Sequence, residues 1–524
     1  MIGLAGRREP VLAHQEASTA KRRMTSLAIP SSADVLFVLL AVLVPVGISR
    51  SLLNSDGDLA RHIRVGSIIL ARHGLYYHDP LSYTMEGKPF VPYEWLTEVI
   101  FAAAHQIGGL AAVAIVSGLV IAAAYAITVR FLASHGVDPL LAFVGGILAA
   151  AAGSVHWLAR PHLFTILGAI LTITAIEATP KRRLWPFALL FAIWANLHGG
   201  FLYGLIVIAL YAAGDLAEAV LSAEGERSSW IQRAIFDVKA LGLSILACLI
   251  NPSGPGLFPH VTSYLGDRYL VDWTQEYQSP SFHMLGTQTF LGVLALSTAA
   301  LALSRKRPSL PRLCLILVNL VFALYSGRNI PLFAITALPI IILTFDGTWR
   351  ELISVPNCLA RFAKHLSGRF AQGEDQGRFG LLSSTAAVAL LAVGLNHGMV
   401  AGFPVVDAKF DPTIFPVAAV NQARAEHLTG RIFNQFTWGG YILYAWPEQK
   451  VFIDGQTDFY GDDLSKTYNK IASLDPGWQD ALDKWKVSLV IVPTNSNLAA
   501  EIEKDGGWTV WYQDKTAVIL QRHR

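Results

Sequence analysis

Charge is scarce in this chain. Only 15% of its 524 residues are Asp, Glu, Lys or Arg, against 53% that are hydrophobic. A soluble domain carries about 25% charge, so that class is excluded. Cysteine is almost absent, at three residues. Cys248, Cys314 and Cys358 lie in or near apolar segments without metal spacing, which excludes a disulfide framework. Nucleotide fingerprints are missing too. There is no GxGxxG and no GxxxxGK followed by Ser or Thr, so ATP-driven transport has no support. No GxSxG marks a hydrolase nucleophile. The net charge of +3 comes from basic residues in particular loops, which report on topology and give no sign of nucleic acid.

What fills the chain is apolar sequence in runs near the ~20 residues that cross a bilayer. The expected fold is an all-α polytopic membrane bundle of about 11 spans with a C-terminal soluble α/β domain. Residues 1–33 form a basic tail with Arg7, Arg8, Lys21, Arg22 and Arg23, expected in the cytoplasm ahead of a signal anchor. The first span is 34–53, and residues 34–401 make the membrane domain, including an outer loop at 54–109. Further apolar runs fall at 95–107, 110–132, 138–155, 163–179, 184–197, 201–220, 237–250, 287–304, 311–326, 330–346 and 381–399. If all of them cross, three basic loops (181–183, 305–307 and 347–378) land outside, against the positive-inside rule. Removing 95–107, which is short and follows Glu94, repairs all three. It is expected to be a half-inserted or interfacial helix, which puts the C-terminal domain outside.

The outer loop is the most polar part of the N-terminal half. It holds Asp56, Asp58, His62, Asp79, Glu94 and Glu98. Apolar residues at helical spacing over 58–73 predict an amphipathic helix on the outer membrane surface. The topology brings other polar groups to the same face: His156, Arg160-Pro161-His162, Asn196 with His198-Gly199-Gly200, the 251–283 loop, and Arg328-Asn329. Polar groups at membrane depth face a bundle interior or a water-filled cavity, and one outward cavity roofed by the first loop accommodates all of them. Arg160 and Arg328 also suit interface snorkelling, and the histidines suit hydrogen-bonded packing. No histidine pair has i, i+4 metal spacing, so no metal ligands are assigned.

After the last span, residues 402–524 gain charge. The pattern predicts strands at 441–446, 450–454 and 487–492, helices near 463–473, 477–486 and 496–504, and a closing hairpin of 508–512 with 517–521. Phe452-Ile453-Asp454-Gly455 places an acid at a strand end, a position that serves equally as a site or a plain turn.

Motif order across the chain resembles the GT-C superfamily of integral membrane glycosyltransferases. That group includes protein O-mannosyltransferases, aminoarabinose transferases of lipid A and the catalytic oligosaccharyltransferase subunit. A bacterial branch is more similar, with a first loop reading D-x-W-W-H-L-x-x-G, then D-P-x-S-x-T, then E-W-L-x-E. The matching pieces are Asp58 to His62 and Gly66, Asp79-Pro80 with Ser82 and Thr84, and Glu94-Trp95-Leu96-Thr97-Glu98. Arg160-Pro161-His162, Asn196 to Gly200, Asn251-Pro252, Arg328-Asn329, Gly439-Gly440 and Phe452 to Gly455 match as well. The departure is Ala60-Arg61, where the tryptophan pair would stand.

The resemblance implies sugar transfer from a polyprenyl-phosphate-linked donor to a glycan, lipid or protein acceptor at the outer face of the bacterial inner membrane. It implies an outer-loop base, Asp58 with Asp56 as the close alternative. Arg160 and Arg328 become candidates for the donor phosphate, and His62, Asp79, Glu94, His162 and His198 for substrate contacts. Some members use a divalent cation (Mg or Mn) and others none; the sequence does not choose. Two other classes stay in view: a transporter or lipid flippase, which predicts inverted repeats, and a non-catalytic assembly protein of the cell envelope.

Overall fold

The computed structural model describes residues 30–178, 182–266, 268–376 and 380–523. Most of the basic tail, and Lys181, lie outside them. Each of the eleven expected spans is largely helical. Five helices among the described residues are long and apolar enough to cross a membrane, and five shorter apolar ones accompany them, as an integral membrane protein requires. The first expected span is Ser32–Val42, a π turn at Leu43–Gly47 and a short helix Ser49–Asn54. Pro45 lies in the π turn; lacking an N–H, it cannot continue the regular α ladder.

The amphipathic prediction for the first loop holds as helix Asp58–Arg72. Residues 95–107 form the first arm of Trp95–Ser134, and the helix breaks at Gly108 and Gly109. Gly109 has φ of 64°, a left-handed conformation that glycine adopts without a Cβ penalty. The 95–107 arm is thus set apart from 110–134, and Gly66 of the loop helix packs directly on the Glu98 carbonyl. The expected 237–250 span is the end of a longer helix, Glu224–Cys248.

The C-terminal domain carries a four-stranded sheet in the order 432–434, 489–493, 517–522, 508–513. The first pair is parallel and the others antiparallel. Helices Thr457–Ala472, Trp478–Lys484 and Asn497–Lys504 stand where the pattern put them. Two strand expectations need correction. Residues 441–446 are helix Gly439–Ala445, because a short apolar run buried on several sides suits either element. Residues 450–454 make one bridge, Val451 with Ser82 of the first loop, and do not join the sheet.

That bridge marks a wider union. Ala60, Val65, Tyr76, Leu81 and Phe90 of the first loop share one core with Phe415, Trp438, Tyr441 and Ile442 of the C-terminal domain. Gly57 and Gly440 bring the two backbones into contact distance, since a Cβ on either would overlap a carbonyl oxygen of the other segment. The first loop is therefore clamped by the C-terminal domain.

Candidate active site

The Asp56-Gly57-Asp58 turn opens helix Asp58–Arg72, and Asp56 Oδ1 accepts from the Asp58 N–H at 3.0 Å. Arg160 reaches this turn from the loop before helix His162–Glu177. Its Nη2 is 2.7 Å from Asp58 Oδ2, and its Nη1 is 3.1 Å from Asp56 Oδ2 and 2.6 Å from Glu276 Oε1. One guanidinium thus serves three carboxylates. Burial pushes Asp56 up to about 6; Arg160 opposes this, while Asp58 and Glu276 add to it. Burial also raises Glu276, but Arg160 and Arg328 outweigh it and hold the carboxyl down to about 2.

This cluster borders a cavity of about 480 Å³. Asp58, His62, Glu94, Arg160, His162, His198 and Arg328 all line it, so seven of the expected site residues converge. Asp56 joins through Arg160. Asp79 does not reach the cavity: it accepts from the Leu81 and Ser82 N–H groups and the Ser82 hydroxyl, which fixes the loop turn. His162 is partly committed to packing, with its Nε2 2.8 Å from the His156 carbonyl.

The Glu94 to Glu98 motif is anchored on the 196–200 segment. Trp95 Nε1 donates to Asn196 Oδ1 at 2.7 Å, and the Thr97 hydroxyl to the Leu197 carbonyl at 2.7 Å. His198 Nδ1 accepts from the Gly200 N–H at 3.1 Å, which turns Nε2 toward Glu94 Oε1 at 3.6 Å. Burial pushes Glu94 up to about 7, with His62 opposing and the Glu98 and Asp458 charges adding. Arg328 lies over the Tyr277 ring, 4.6 Å from its centroid. Apolar Ile166, Leu202, Ile206, Phe322 and Leu332 line the cavity as well.

The sequence reading missed three of the polar groups. Glu276 and His260 sit in the 251–283 segment without a motif around them. Asp458, from the C-terminal domain, lies 3.3 Å from His260 Nε2, and Gly455, Gln456 and Thr457 extend the same wall. Arg61, the departure from the motif, is fully buried. It pairs with Asp454 at 3.2 Å and Glu98 at 3.4 Å and donates to Gln456. Arg61 therefore ties the first loop to the Phe452 to Gly455 motif. Gly455 packs on Asp58 itself: a Cβ there would overlap Oδ1.

Among the described residues, no group of three or more His, Cys, Asp or Glu is arranged to hold a metal ion. The Asp56, Asp58 and Glu276 oxygens turn to the Arg160 guanidinium, and this arrangement does not fit a divalent cation unless Arg160 gives them up.

No family model and no curated protein matches the chain. Solved structures do. The oligosaccharyltransferase of Archaeoglobus fulgidus in its apo form is 12% identical, with a TM-score of 0.54 over 96% of this chain and 74% of that one. AglB from Archaeoglobus fulgidus, in complex with an inhibitory peptide and a dolichol-phosphate, is 12% identical with a TM-score of 0.53, over 93% of this chain and 74% of that one. ArnT from Cupriavidus metallidurans bound to undecaprenyl phosphate is 14% identical with a TM-score of 0.45, over 93% of this chain and 97% of that one. The chain shares its fold with the archaeal oligosaccharyltransferase.

Proposed function

We propose that the chain is a membrane glycosyltransferase that moves a sugar from a polyprenyl-phosphate-linked donor to a hydroxyl-bearing acceptor. The observation that carries this reading is the convergence of Asp56, Asp58, Glu276 and Arg160 beside a cavity lined by both charged and apolar side chains. A lipid-linked sugar phosphate combines the same two characters. The dolichol-phosphate complex of AglB, a protein of the same fold, supports that donor class.

In this reaction the acceptor oxygen attacks the anomeric carbon. The bond from that carbon to the lipid phosphate oxygen breaks, and the acceptor proton passes to an outer-loop carboxylate. Asp58, which lines the cavity, is the base of this proposal, and Asp56 is the alternative. A base with a pKa of about 6 is well matched to neutral pH, a point in favour of Asp56. Arg160 holds both carboxylates in place and so is a poor choice for the donor phosphate. Arg328 is the better one, since a guanidinium at the cavity wall suits a phosphate leaving group. The carboxylates and Arg160 supply fixed charge, and no step of this reading is routed through a metal.

The reading supports a site on the outer face of the bacterial inner membrane, with the N-terminus cytoplasmic. The test uses purified protein in nanodiscs with labelled polyprenyl-phosphate sugars and a panel of membrane acceptors. Release of polyprenyl phosphate that depends on acceptor, with weaker donor binding in Arg328→Ala, supports the reading. Failure to turn over any lipid-linked sugar removes it.

A further inference from the structure

A second cavity, of about 280 Å³, lies away from the site described above. One wall is a face of helix Asp58–Arg72, where Arg64, Ser67, Ile68, Ala71 and Arg72 recur at helical spacing. The facing wall is Leu443, Pro447, Gln449 and Lys450 of the C-terminal domain, with Pro80 and Leu81 of the first loop at its side. Three cations line this space and, among the described residues, no carboxylate does. Of the nearby acids, Glu448 pairs with Arg424 at 3.1 Å and its charge also acts on Arg64, and Glu86 takes one side of Lys450 at 2.6 Å.

Arg64 gives the strongest indication. Its Nη2 donates to the Pro447 carbonyl at 3.1 Å, whereas its Nε is buried with no acceptor among the described residues. Arg64 is half-buried, and the one N–H left without an acceptor is a donor that an anion's oxygen would satisfy. Apolar Ile68, Ala71 and Leu443 in the lining weaken screening and strengthen such a contact. Two arginines and a lysine supply more positive charge than one carboxylate needs, and the arginine fork matches a phosphate.

We propose that this cavity is an anion subsite that takes a phosphate-bearing group, held by Arg64 with Arg72 and Lys450 at its rim. It is distinct from the donor site, since none of the three lines the catalytic cavity. The phosphate belongs either to a free phosphorylated solute or to the headgroup of an anionic lipid beside the amphipathic helix.

The test is the unfolding midpoint of the full-length protein in two settings. In detergent, inorganic phosphate is titrated against chloride at matched ionic strength. In nanodiscs, phosphatidylcholine alone is compared with phosphatidylcholine plus phosphatidylglycerol. The wild type is expected to be stabilised in at least one setting. Arg64→Gln should shift the half-effect concentration by about tenfold or more, as loss of a charged hydrogen bond implies. Arg72→Gln combined with Lys450→Gln should weaken the response in the same sense, and these solvent-accessible rim positions carry the test if Arg64→Gln does not fold. Stabilisation by inorganic phosphate assigns a soluble phosphate group; stabilisation by phosphatidylglycerol alone assigns a lipid headgroup. Absence of both effects overturns the proposal. So does a response undiminished in the variants, because it then arises in the catalytic cavity or on the general surface.

Discussion

Gly455→Ala is the sharpest probe of the clamp between the two parts of the chain. A Cβ at this position would overlap Asp58 Oδ1 and stand 2.8 Å from its Cγ. The carboxylate has to move, and its 2.7 Å bond to Arg160 goes with it. Misplacing a reacting group by about 1 Å costs on the order of a hundredfold in rate, so turnover should fall at least that far. Stability should fall less. A charge-assisted hydrogen bond is worth about 1.5–3 kcal/mol, and partial solvent access at this site reduces that to about 1 kcal/mol. The assay is sugar release from a lipid-linked donor beside a thermal melt, with Gly225→Ala, whose Cβ meets open space, as the control. Wild-type turnover in Gly455→Ala would refute the idea that the C-terminal domain sets the position of Asp58.

Three further outcomes are expected. Arg61→Met leaves Asp454 and Glu98 buried without their cation, which should cost about 3–5 kcal/mol in a melt; adding Asp454→Asn should recover part of the loss. Glu94 is raised from 4.5 to about 7, so the folded state binds a proton that the unfolded state has lost between those values. Its contribution is present in full below about pH 4.5 and disappears as pH rises through about 7, at most about 3 kcal/mol, and Glu94→Gln should flatten that part of the stability curve. Asp79→Ala should loosen the loop turn and lower the melting temperature while leaving donor affinity unchanged, since the side chain binds Leu81 and Ser82 and not the cavity.

Much of this architecture was legible because the physics is local. Apolar length marked the helices, and the amphipathic spacing over 58–73 marked the loop helix within a residue of its end. A positive-inside topology puts Asp58, Arg160, His198 and Arg328 on one face, and they line one cavity. What escaped was long-range. Residues 441–446 read as a strand because a six-residue apolar run carries no period that separates the two elements, and they fall in helix Gly439–Ala445. Glu276 lay in a polar loop with no motif, and only its approach to Arg160 gives it meaning. Arg61 looked like a lost aromatic pair, whereas its partners Glu98 and Asp454 lie far along the chain. Arg160 was expected to be available for phosphate, and the three carboxylates around it become visible only in three dimensions.

The most direct test of the central claim is single-turnover sugar transfer in membranes by wild type, Asp56→Asn and Asp58→Asn at matched expression, with donor binding measured in parallel. Asp58→Asn is expected to bind donor and fail to transfer, with a loss of about 10²–10⁴-fold as for a missing general base. Wild-type transfer by both variants would contradict it.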